Sequence, residues 1–145
     1  MNNLKINHLA VLVCVILLHG LGFLWYGALF GEKWMAMVEL DPSAAQSGAG
    51  EARLWITNLA AILAQLYLLA WLFTKLNVNT GGRGAVIAFL VTFCMHNMRL
   101  MSGNMFAGEP YGLAWITGGF GLVGLTICGF ILGAWTKSDS PQTRI

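Results

Sequence analysis

The stretch Leu9-Ala10-Val11-Leu12-Val13-Cys14-Val15-Ile16-Leu17-Leu18-His19-Gly20-Leu21-Gly22-Phe23-Leu24-Trp25-Tyr26-Gly27-Ala28-Leu29-Phe30 decides the fold class. It contains no Asp, Glu, Lys or Arg. A helix that crosses a bilayer needs roughly 20 mostly apolar residues, and this run supplies them. It is too long for the apolar part of a secretory signal, and no small-x-small cleavage site precedes a soluble body. It therefore reads as an uncleaved first span.

Three more such runs follow, at about 54–74, 84–101 and 111–135. Continuous apolar runs, rather than strict alternation, select helices over a closed barrel. Composition agrees. With 57% apolar and 10% charged residues, a chain of 145 residues cannot give a soluble domain a water-compatible surface. The length allows one domain. The expected architecture is all-α: an integral membrane four-helix bundle over residues 1–137, with a polar cytoplasmic tail at 138–145.

The connections differ in character. Asn77-Val78-Asn79-Thr80-Gly81-Gly82-Arg83 is a short turn, which predicts a tight antiparallel hairpin of spans two and three; Gly108-Glu109-Pro110 is another turn. In the first loop, Trp34, Met37 and Val38 recur at i, i+3, i+4 and predict a short interfacial helix within 32–40. Asp41-Pro42 ends it, and residues 43–50 read as a flexible tether.

Charge sets orientation. Lys5, Lys75, Arg83, Lys137 and Arg144 fall on one side, opposed only by Asp139; the other side carries Lys33, Arg53 and Arg99 together with Glu32, Glu39, Asp41, Glu51 and Glu109. Positive residues mark the cytoplasmic side, so both termini are expected there. Trp25, Trp34, Trp55 and Trp115 fall near the outer face, Trp71 and Trp135 near the inner one, as aromatic belts do. The net charge of +2, without a Lys/Arg run, speaks against nucleic acid. The expected partners are the lipid bilayer and a homo-oligomer or membrane complex.

Polar groups inside the spans are the candidates for a site. Counting about 1.5 Å per residue from the span ends places His19, Gln65, Thr92 and Cys94 near mid-membrane, with His96 one turn further out. One reading is a polar site or proton relay built on His19, Gln65 and His96. The other, favoured because no Asp or Glu lies within a span, is that His19 and Gln65 hydrogen-bond across two helices and hold them together. Met95, Met98, Met101 and Met105 share a helical face beside His96, and thioether with imidazole suits Cu(I). Methionine packing is the favoured account of that face, so no metal or other cofactor is expected. Cys14, Cys94 and Cys128 match no disulfide or zinc pattern and read as small core residues. Gly27-x-x-x-Gly31, Ala60-x-x-x-Ala64 and Gly129-x-x-x-Gly133 are small-residue pairs suited to close helix packing, and the face of span four with Gly121, Gly124, Gly129 and Gly133 is expected to serve oligomerisation unless spans one and three cover it. No H-E-x-x-H, P-loop or Ser/His/Asp arrangement stands out, so the chain is not expected to be an enzyme.

Two stretches resemble a known family. One runs from Asn7-His8-Leu9 to Leu24-Trp25-Tyr26-Gly27-Ala28-Leu29-Phe30-Gly31-Glu32-Lys33-Trp34-Met35; the other pairs Phe106-Ala107-Gly108-Glu109-Pro110 with Gly129-Phe130-Ile131-Leu132-Gly133-Ala134-Trp135. Together they resemble the bacterial membrane-protein family called domain of unknown function 1761. The resemblance implies four spans and a bacterial inner membrane, and brings no activity or functional residue. The function expected is a membrane scaffold or accessory subunit; the alternative is a small-solute or proton transporter or channel using the mid-membrane polar layer.

Overall fold

The computed structural model describes residues 4–39 and 52–138. Helix α1 spans His8–Leu29, and a short helix, α2, follows at Gly31–Met37. Helices α3 (Ala52–Lys75), α4 (Gly81–Ala107) and α5 (Tyr111–Ala134) complete the chain. The long helices α1, α3, α4 and α5 are each long and apolar enough to cross a membrane. The first-loop helix lies where the Trp34 and Met37 periodicity places it; the rest of that loop at 40–51 and the tail at 139–145 lie outside the described residues.

Local chemistry fixes the helix ends. Asn7 caps α1, its Oδ1 accepting from the backbone N–H groups of Leu9 and Ala10. Helix α4 runs past the expected end at Met101 to Ala107 and stops at Gly108, whose φ of 74° places it in the left-handed region. Ser102, Gly103 and Asn104 are polar enough to end an apolar run without ending a helix. Asn77, with φ 52°, makes the turn between α3 and α4.

Helix α5 is the centre of the bundle. Helix α4 packs along one side of it and α1 along another, while α3 leans on α1. Spans two and three are thus joined by a short turn, but α4 takes α5 rather than α3 as its main partner. Glycine explains the choice. A Cβ on Gly84 would strike the carbonyl of Gly129, one on Gly129 would strike Ala88, and one on Gly133 would come within 2.6 Å of the Thr80 carbonyl. The two backbones therefore touch, the close approach that small residues permit between apolar helices. The Gly129-x-x-x-Gly133 face, expected to serve association between chains, is consumed within the chain by α4. Gly27 faces open space, so Gly27-x-x-x-Gly31 is no packing pair either; Gly31 is required because a Cβ there would strike the Tyr26 carbonyl.

The core joins Val11, Cys14 and Leu18 of α1 to Leu66 and Phe73 of α3, Ala88 of α4, and Cys128 and Leu132 of α5. Cys14 and Cys128 each donate a long S–H bond to the other's carbonyl, at 3.8 and 3.9 Å. Cys94, by contrast, is exposed and is not a core residue. At the end of the bundle that holds the α3–α4 turn, a two-residue strand β1 (Leu4–Lys5) pairs antiparallel with β2 (Lys137–Ser138). The two ends of the described chain lie side by side.

Candidate functional site

The expected polar layer does not form. The ring pairs His8–Tyr67 and Phe23–Trp55 fix the register of α1 against α3. By that register Gln65 lies level with residues 10–12, about 11 Å along the axis from His19, and His19 lies level with Asn58. His19 satisfies itself: its Nδ1–H donates to the Val15 carbonyl one turn back, at 2.9 Å. Gln65 is exposed. His96 is also exposed, with its ring near Gly121 of α5. The three candidates are not brought together.

The buried polar residues among those described are Thr92, 5% exposed, and Asn97, 2% exposed. Both belong to a π-helical segment, Thr92–Asn97, inside α4. A second π segment, Leu24–Leu29, ends α1. A π turn widens the helix by one residue and recurs at functional sites. Here the two segments meet the same stretch of α5. Trp25 donates from Nε1 to the Ile116 carbonyl at 2.9 Å, and its ring lies over Gly119. The Asn97 carboxamide lies against the bare backbone of Gly118, where a Cβ would come within 2.9 Å of Nδ2. Asn97 Oδ1 accepts no hydrogen bond. An unpartnered buried carbonyl costs about 1–3 kcal/mol, so this is the most polar strain point in the described interior.

The methionine face is not a collected donor set. Met95 and Met98 are exposed and Met101 is half-buried. The π segment contains Met95 and His96 and shifts the phase of everything after it, so i, i+3 counting across 95–101 does not keep one face. No group of three His, Cys, Asp or Glu side chains suited to a metal occurs among the described residues. Sequence reading missed Asn97 because it sits between His96 and Arg99 in the most polar of the four long helices, where one more polar residue gives no separate signal.

The class defined by these features is an all-α bundle of four membrane-length apolar helices packed on a glycine-rich last helix. The chain belongs to the family described as protein of unknown function (DUF1761), whose model matches residues 9–133. Comparisons with curated proteins and with solved structures found no match.

Proposed function

We propose that the protein acts by association within a membrane, as a scaffold or accessory subunit, and not as an enzyme. One observation carries this. Residues 52–61 of α3 are all exposed although Trp55 keeps a ring contact with Phe23, and the polar residues Asn58 and Gln65 are exposed as well. In lipid, polar side chains on the outside of a helix are unfavourable until another helix meets them. The bacterial inner membrane and cytoplasmic termini, argued above from resemblance and charge, complete this reading. The test is capture of the full chain from native membranes: a stoichiometric partner or a discrete homo-oligomer supports it, and a monomer free of any companion ends it.

A second reading has its own support. The π segment at Thr92–Asn97 and the unpartnered Asn97 Oδ1 provide a place where a small donor solute or water would be held during passage. Liposome flux assays that lose signal in Asn97→Leu, and keep it in Gln65→Leu, would favour transport.

A further inference from the structure

We propose that the outward face of α3 is a self-association seam, on which two copies of this chain pair α3 against α3. Leu54, Asn58, Ala61, Gln65 and Leu68 follow one another at spacings of four and three, the a/d pattern of a helix pair. All five are exposed. They form a second seam beside the one the chain already uses, in which Ile62, Leu66, Leu69 and Phe73 are buried against the rest of the bundle. A helix inside a monomeric bundle needs only one.

The occupant follows from chemistry and symmetry. Asn58 and Gln65 lie seven residues apart and therefore on one face, two turns apart. A carboxamide both donates and accepts, so a second copy of itself satisfies it. Copies in one membrane share orientation, so their α3 helices run parallel. A two-fold axis normal to the membrane then sets every residue beside its own counterpart at the same depth. Asn58 meets Asn58 of the second copy and Gln65 meets Gln65, with Ala61 small enough between them to let the backbones close up. A helix from another protein would need hydrogen-bonding side chains at the same spacing and depth; the second copy has them by construction.

This inference rests on the association reading above and is tested separately from it. The purified full chain is reconstituted in liposomes and its stoichiometry read by single-molecule photobleaching. Two-step bleaching is expected, and the double variant Asn58→Leu, Gln65→Leu should associate roughly tenfold more weakly. With Cys94→Ser as background, Ala61→Cys should crosslink to a dimer on oxidation, and Ile56→Cys, on the opposite face of α3, should not. This second measurement keeps both carboxamides and so does not depend on how the double variant folds. Monomers at every protein-to-lipid ratio, or equal crosslinking from both positions, overturns the seam. A monomer here together with a stoichiometric foreign partner in native membranes overturns self-association and leaves the accessory role standing.

Discussion

Asn7 Nδ2 donates to the carbonyl of Trp135 at 2.9 Å, across 128 positions of sequence. The same side chain caps α1 through its Oδ1. One carboxamide thus ends the first long helix and ties it to the end of the last. Asn7→Ala should lower stability by about 2 kcal/mol, the sum of a lost cap and a lost tie. Unfolding in mixed detergent micelles measures it, and a loss below a few tenths would mean that β1 and β2 hold the ends without it.

Gly84 and Gly129 should not tolerate even a methyl group. Gly129→Ala places a Cβ against Ala88 and the Gly84 carbonyl, and overpacking of this kind costs about 1–3 kcal/mol. Gly103→Ala is the control, because nothing lies within 4 Å of a Cβ there. It should be neutral or stabilising by up to about 1 kcal/mol. Thermal melts of the two variants in one detergent should separate clearly; equal melts would remove α4–α5 contact as the centre of the fold.

Asn97→Leu should leave the protein as stable as before, or more stable by about 1 kcal/mol, since an apolar group of similar shape relieves an unpaired carbonyl. A marked loss of stability would mean that Oδ1 holds a donor in the working protein, which shifts weight to the transport reading.

Both termini should face the cytoplasm. Leu4–Lys5 and Lys137–Ser138 are paired, so one reporter locates both ends. A cytoplasm-active reporter fused after Ile145 should work and a periplasm-active one should fail; the reverse result inverts the topology.

The four long helices were legible because apolar runs near 20 residues with at most one charge have few other readings, and the Trp34–Met37 periodicity gave α2. The π segments were not. In Leu24–Leu29 every side chain is apolar, or apolar with a polar tip, so no pattern separates five residues per hydrogen-bonded turn from four. The His19–Gln65 layer failed for a different reason. Counting inward from each span end assumes that neighbouring helices begin level, but α3 continues past the start of α1 to Lys75, so equal counts reach different depths. The small-residue pairs showed which helices can approach closely without showing which helix does so. Gly129 and Gly133 turned out to be occupied by the chain's own α4, while the free surface was on α3.

The position of α5 carries a consequence for how the protein is made. Ribosomes deliver α1 first and α5 last, yet α4 finds its main packing surface on α5, and α1 divides its packing between α3 and α5. Until Tyr111–Ala134 has been made, α4 lacks its main packing partner, α1 is covered by α3 alone, and the cap at Asn7 lacks its Trp135 anchor. A chain that ends before residue 111 therefore leaves the packing face of α4 uncovered, and the last helix to be made is the one on which the fold closes.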